Sequence, residues 1–170
     1  MSRLHTLLFS GALLLALGCD QATKRVAEAR LAPFEPVSLW SDLVRFELVP
    51  NVGGFLSLGQ NLPESARTAL FAILVPLSLA LICFWLLRDG QASNRMVLGL
   101  GLVAGGGVGN WLDRLAQGAV VDFVSVGVGP LRTGIFNLAD VLIFLGIGFL
   151  LLDLRSPPAE PRAPEEPGAT

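Results

Sequence analysis

Apolar residues form four long blocks along the chain, at residues 4–19, 68–87, 96–112 and 135–152. A helix needs about 17 to 25 mostly apolar residues to cross the hydrocarbon core of a bilayer. The second block meets this length, and its residues 69–87 contain a single polar side chain, Ser78, whereas a core helix of a soluble protein carries a polar face. The pattern therefore predicts an all-α integral membrane protein with four transmembrane helices.

The segment between the first two blocks is predicted to have structure of its own. Helix-forming residues at 22–31 indicate a short helix lying at the membrane interface. The alternation of polar and apolar residues at 45–49 indicates a strand, which Pro50 should end before a glycine-rich turn. We therefore expect a small extracytoplasmic β-element between helices 1 and 2, lying on the outer membrane surface.

The distribution of basic residues predicts the orientation in the membrane. With four spans, both chain ends and the short loop at 88–95 lie on one side. This side carries Arg3, Arg88 and Arg95, and the positive-inside rule places it in the cytoplasm. Residues 1–154 then form the membrane domain. Residues 155–170 contain five prolines and are expected to be a disordered cytoplasmic tail.

The beginning of the chain has a second interpretation. Ala16-Leu17-Gly18-Cys19 follows an apolar run, as the cleavage box of a lipoprotein signal peptide would. Three further apolar blocks follow it, so a first transmembrane helix is the better interpretation.

In the third block, Gly101, Gly105 and Gly109 recur every four residues, which predicts a helix face for close packing against another helix.

Composition mainly excludes functions. The chain is 52% hydrophobic, 15% charged and carries a net charge of −2. Its basic residues are scattered, so no nucleic-acid partner is predicted. The lone histidine, His5, and two separated cysteines, Cys19 and Cys83, provide no zinc ligand set and no expected disulfide. The glycine run at 105–109 lacks the lysine of a phosphate loop. We predict neither a metal nor a cofactor.

Polar side chains in or beside apolar blocks are costly to bury, and they are therefore candidates for function. They cluster in the last third of the chain, at Asn110, Asp113, Arg114, Asp122, Asn137 and Asp140. The spacing predicts that Asn110 shares a helix face with Arg114, and that Asn137 shares another with Asp140.

The candidate chemistry rests on Asp122 and Asp140. Two carboxylates held close in apolar surroundings share one proton, and such a pair can activate water and protonate a leaving amine. This suits peptide hydrolysis. The alternative is that both aspartates only cap helices or pair with Arg114 and Arg132. For Asp113 we favour such a structural role, beside Arg114.

Five motifs in order resemble the signal peptidase II (lipoprotein signal peptidase) family. They are Asp20-Gln21-Ala22-Thr23-Lys24, Asn51 with Gly53, Gly109-Asn110-Trp111-Leu112-Asp113-Arg114, Val120-Val121-Asp122-Phe123 and Phe136-Asn137-Leu138-Ala139-Asp140. The resemblance covers roughly residues 4–152. It implies a multi-pass aspartic endopeptidase of the bacterial cytoplasmic (inner) membrane, with its active site near the outer leaflet. Its substrates would be diacylglyceryl prolipoproteins, cut just before the lipidated cysteine.

The resemblance also implies roles for individual residues. Asp122 and Asp140 match the catalytic dyad. Seven positions match residues that line or support the substrate site: Asp20, Lys24, Asn51, Gly53, Asn110, Arg114 and Asn137. We expect prolipoproteins and membrane lipids as partners, and a monomer.

Two departures from the family pattern keep other functions open. Phe55 lies one position earlier after Asn51 than is usual, and the loop between the two aspartates is glycine-rich and shorter than typical. A non-catalytic or specialised paralogue that binds membrane lipopeptides is therefore the alternative. A proton-coupled transporter is disfavoured because the chain shows no internal repeat.

Overall fold

The computed structural model describes residues 2–54, 59–88 and 92–154. Its elements are α1 (Arg3–Arg30), β1 (Val37–Leu39), β2 (Val44–Asn51), α2 (Glu64–Thr68), a π-helical segment (Ala69–Leu74), α3 (Val75–Arg88), α4 (Asn94–Gln117), β3 (Val120–Val128), β4 (Leu131–Arg132) and α5 (Leu138–Leu154). The predicted tail at 155–170 and the shifted Phe55 lie outside the described residues.

Local capping explains where two of the long helices begin and where one of them ends. The hydroxyl of Ser2 accepts a hydrogen bond from the backbone N–H of His5 at the start of α1, and Ser93 does the same for Met96 at the start of α4. Helix α4 ends at Gly118, whose φ of 75° lies in the left-handed region that suits glycine. Glycine and serine therefore set these boundaries.

The separate interfacial helix predicted at residues 22–31 is wrong. Helix α1 continues through this segment to Arg30 without interruption. No proline or glycine breaks the helix after Gly18, and Asp20, Lys24 and Ala27 are buried along one side. Their contacts with the rest of the protein extend α1 beyond its first apolar block.

The predicted β-element is part of a larger antiparallel sheet with the order β1-β2-β3-β4. Strand β3 comes from the connection between α4 and α5, and it pairs Asp122 with Val49 and Val120 with Asn51. Pro50 does not end β2, because it lies within the strand opposite Val121. The β1 pairing stops at Phe46, so the proline nitrogen needs no partner on that side.

Helix α4 is the central helix and packs closely against α1 and α5. A Cβ atom at Gly101 would lie 2.7 Å from the Cβ of Ala12, and one at Gly105 would lie 2.5 Å from the carbonyl oxygen of Leu13. On another face, Gly99 and Gly106 meet α5 at Gly146 and Ala139. The predicted glycine packing face is confirmed, and a second one faces α5.

Two of the described helices are long and apolar enough to cross a membrane. They are Arg3–Arg30 and Glu64–Phe84. Helix α5 has only 17 residues, which corresponds to a length of about 25 Å. Leu7, Leu81 and Phe144 are among many large apolar side chains that remain exposed on these helices.

The two cysteines, Cys19 and Cys83, are both free.

Candidate active site

The two candidate aspartates meet where the sheet joins the helices. Asp122 lies on β3, and Asp140 lies in the first turn of α5. The backbone N–H groups of Phe123 and Val124 donate to the carbonyl oxygen of Phe136, 3.1 and 3.0 Å away. These bonds hold the start of α5 against β3.

Asn137 links the two aspartates directly. Its side-chain amide donates to Asp122 Oδ1 at 2.7 Å. Its backbone N–H lies 3.4 Å from Asp140 Oδ2, and its Oδ1 accepts from the backbone N–H of Asp140 at 3.1 Å. This reciprocal pair is a capping box, so Asn137 precedes α5 and does not share a helix face with Asp140 as predicted. Asp140 therefore also caps its helix.

Asp122 is almost fully enclosed, with 2% of its surface exposed. Each carboxylate oxygen accepts one side-chain amide, from Asn137 and from Asn51 at 2.8 Å. The pKa of Asp122 is raised to about 6, chiefly because burial disfavours the charged form, with the nearby Asp140 adding to the rise and the two amides opposing it. The carboxyl group therefore titrates near neutral pH, as a general acid or base should.

Asn110 connects Asp140 to the helices behind it. Its Nδ2 donates to Asp140 Oδ1 at 3.1 Å. Its Oδ1 accepts from Lys24 Nζ at 2.8 Å and from the side chain of Asn137 at 3.0 Å. Both amides are thus oriented with N–H groups toward the aspartates.

A buried charge cluster lies behind Asn110. Lys24 Nζ is 2.8 Å from Asp20 Oδ2 and 2.7 Å from Asp113 Oδ2. The predicted partner of Asp113 was Arg114, but successive residues on a helix point about 100° apart, so the two side chains diverge. Gln21 also donates to Asp113 Oδ1 at 2.9 Å and to the Gly109 carbonyl at 3.3 Å. The sequence motif contained Gln21, but nothing in its pattern assigned it a role.

Arg114 braces the loop that follows β2. Its guanidinium donates to the carbonyl oxygens of Asn110, at 3.1 Å, and of Gly53, and it lies over the ring of Phe71 at 5.0 Å. Asn110 and Arg114 are therefore in contact, as their spacing of one helical turn predicted. Asn51 holds the same loop, since its Oδ1 accepts from the Gly53 N–H at 2.9 Å. The Nε of Arg114 is buried and has no partner among the described residues.

Neither aspartate forms an ion pair with Arg114 or Arg132, which was one form of the structural alternative, whereas Asp140 does cap α5, which was the other form. Arg132 instead binds Asp42 on the sheet surface, at 3.1 Å. The other salt bridges in the described part of the chain join Arg45 to Asp42 and Lys24 to Asp20 and Asp113. None of them includes Asp122 or Asp140. No group of three His, Cys, Asp or Glu residues among the described residues could hold a metal ion.

An apolar cavity of about 520 Å³ opens beside Asp140. Most of its lining comes from large apolar side chains on five helical segments, including Phe9, Phe71, Leu79, Trp111 and Ile143. The polar residues on its wall are Asn110, Arg114 and Asp140. Asp20 and Lys24 are 0% and 2% exposed and lie behind this wall, so they support the site without lining the cavity.

Comparisons with known proteins agree on one family. The family profile described as "Signal peptidase (SPase) II" matches residues 12–155. The lipoprotein signal peptidase of Methylorubrum extorquens (strain PA1) is 38% identical, covering 90% of this chain and 87% of that protein. That of Gloeobacter violaceus (strain ATCC 29082 / PCC 7421) is 35% identical over 93% and 87%.

The fold has also been seen in a solved structure. A bacterial membrane enzyme determined by the in meso method at 2.3 Å resolution superimposes with a TM-score of 0.72. It covers 84% of each chain at 22% sequence identity. This likeness concerns the fold alone.

Proposed function

This chain belongs to the signal peptidase II family, and we propose that it removes signal peptides from lipoprotein precursors with Asp122 and Asp140 as its catalytic pair. The observation that carries the proposal is the placement of these two carboxyl groups. They share Asn137 as a common partner, they have no cationic partner among the described residues, and Asp140 lies on the wall of an apolar cavity.

The chemistry follows from one proton shared by the pair. The ionised aspartate takes a proton from water while the water oxygen bonds to the carbonyl carbon of the peptide. The carbon–nitrogen bond then breaks, and the other aspartic acid donates its proton to the leaving amine. The products are the carboxyl end of the signal peptide and a free amino group on the mature lipoprotein.

The hydrogen bonds that the two aspartates accept indicate which one acts as the base and which one as the acid. Asp122 receives short hydrogen bonds on both oxygens, which favour its ionised form. Asp140 receives longer ones, at 3.1 and 3.4 Å. We therefore assign Asp122 as the base and Asp140 as the acid, within a pair that titrates as one unit. The unpartnered Nε of Arg114 can donate to a carbonyl oxygen of bound substrate.

The cavity suits a substrate with a lipid group. Ligand pockets of about 300 to 1,000 Å³ are lined mainly by apolar side chains with a few polar groups, as here. We propose that the diacylglyceryl chains and the small residues of the signal peptide occupy it. The lipidated cysteine then lies just after the scissile bond, beside the aspartates.

We further propose four spans with both chain ends in the cytoplasm. Under this arrangement the sheet and the aspartates lie near the outer leaflet, because the C-terminal ends of α1 and α4 and the start of α5 meet there. The positive-inside rule supports it through Arg3, Arg88 and Arg95.

The test is cleavage of a diacylglyceryl prolipoprotein by the purified protein in detergent, with release of the signal peptide as the readout. The control is the same precursor with its cysteine replaced by serine, which cannot carry the lipid. The proposal expects cleavage of the lipidated precursor only. Binding of the lipidated precursor without cleavage would instead support the non-catalytic lipopeptide-binding alternative.

A further inference from the structure

Two carboxylates outside the catalytic pair bind the backbone on either side of it. Asp20 Oδ1 accepts from the N–H of Ala139 at 3.0 Å, and Asp113 Oδ2 accepts from the N–H of Val121 at 3.3 Å. Ala139 immediately precedes Asp140, and Val121 immediately precedes Asp122. The two supporting carboxylates therefore fix the positions from which both aspartates project.

Lys24 joins these two supports. Its ammonium group lies 2.8 Å from Asp20 and 2.7 Å from Asp113, and its third contact is Asn110 Oδ1 at 2.8 Å. An ammonium group has three N–H donors, so all three are used. The side chain is 3% exposed, so solvent does not compete for its contacts with the two carboxylates.

The contact with Asn110 adds a second effect. An amide side chain can point either its oxygen or its nitrogen at a neighbour. Because Lys24 can only donate, it fixes the oxygen of Asn110 toward itself and leaves the N–H₂ group for Asp140. Without Lys24, the side-chain amide of Asn137, at 3.0 Å, is the one donor to this oxygen that remains among the described residues, so the orientation of the Asn110 amide is less firmly fixed.

We propose that Lys24 is the positioning residue of the catalytic pair, a proposal that rests on the function proposed above. It clamps Asp20 to Asp113, and these carboxylates hold the residues before Asp140 and Asp122 at a fixed separation. Lys24 does not line the cavity, so it acts through these supports and not on the substrate.

A positioning role predicts a change in turnover with little change in binding. The test compares Lys24→Met, which keeps the length of the side chain and removes its donors, with Arg25→Met on the exposed neighbouring position. Misplacing a reacting group by about 1 Å costs about a hundredfold in rate. We expect Lys24→Met to lower kcat by about that factor for the folded protein, with KM close to that of the wild type. We expect Arg25→Met to behave as the wild type.

The pH profile provides the readout that a purely structural role would not move. Lys24 lowers the pKa of Asp122 through its charge. Its removal should shift the acidic limb of kcat to higher pH. A merely structural lysine would lower the melting temperature but leave kcat and its pH profile unchanged for each folded molecule, and that result would overturn the proposal.

If Lys24→Met does not fold, a second variant tests the positioning role of Lys24. Asp113→Asn keeps the shape of the side chain and the Lys24–Asp20 pair, but it loses the charge that Lys24 binds. We expect a lower kcat at unchanged KM, milder than for Lys24→Met. Normal kcat would refute the clamp. If the wild-type protein itself fails to cleave the lipidated precursor, the proposed function fails instead, and the two failures are thereby distinguished.

Discussion

Substitutions at Asn137 can separate an effect on folding from an effect on catalysis, because its side chain makes one structural and one catalytic contact with different atoms. Its Oδ1 caps α5 through the N–H of Asp140, while its Nδ2 donates to Asp122 at 2.7 Å. Asn137→Ala removes both interactions. Asn137→Ser keeps a good capping group, but its shorter side chain cannot reach Asp122.

The two tasks have different expected magnitudes. Losing a helix cap costs about 0.5 to 2 kcal/mol, so the free energy of unfolding should fall by about that much more in Asn137→Ala than in Asn137→Ser. A hydrogen bond to a charged group contributes about 1.5 to 3 kcal/mol. Both variants should therefore lose about tenfold to a hundredfold in kcat, since about 1.4 kcal/mol corresponds to a factor of ten.

The pH dependence has a definite sign. The amide of Asn137 stabilises the ionised form of Asp122 and holds its pKa below the value that burial alone would produce. Removing the amide raises this pKa above about 6. Since the base must be ionised, the acidic limb of kcat should move to higher pH in both variants. The assay is signal-peptide release from the lipidated precursor at pH 5 to 9, with unfolding followed in mixed micelles. Wild-type kcat in Asn137→Ser at every pH would refute the proposed bond.

Three further predictions concern the groups around the pair. Arg114→Lys should lower cleavage substantially without loss of membrane insertion, because lysine keeps the charge but lacks the planar fork that holds Gly53; unchanged turnover would leave Arg114 no role in bracing the site. Gly105→Val should disrupt α1–α4 packing and reduce the folded yield, whereas Gly11→Val, where an added Cβ meets nothing within 4 Å, should not; equal yields would contradict the packing role. Reporter fusions at Gln60 should report the outside and fusions at Gly90 the inside, and the reverse pattern would invert the topology.

The sequence predicted the helices and the polar residues of the site because each depends on short-range spacing. Three of the four apolar blocks lie within the described helices, and the fourth begins three residues before α5. The glycine spacing of α4 predicted close packing against another helix, which is α1. The pairing of Asn110 with Arg114 also follows from one helical turn.

What the sequence could not predict depends on contacts between distant segments. Strand β3 pairs with β2 across 69 to 82 positions, so the sheet could not be assembled from either loop alone. Asp113 and Lys24 are brought together by the packing of α1 on α4, and adjacency in sequence suggested Arg114 instead. The role of Asn137 as a cap required knowledge that α5 begins at Leu138.

In the proposed mechanism, Asp122 and Asp140 work as one catalytic unit. The most direct measurement is cleavage of a diacylglyceryl prolipoprotein by Asp122→Asn, by Asp140→Asn and by the double variant, each purified and shown to bind the precursor. Each substitution keeps the shape of the side chain but removes its acid–base function, and general acid–base catalysis contributes about a hundredfold to ten-thousandfold. Residues that act as a unit give non-additive losses. We predict that either single variant loses cleavage nearly as completely as the double variant. Near-normal cleavage by either single variant would contradict the aspartic-protease mechanism.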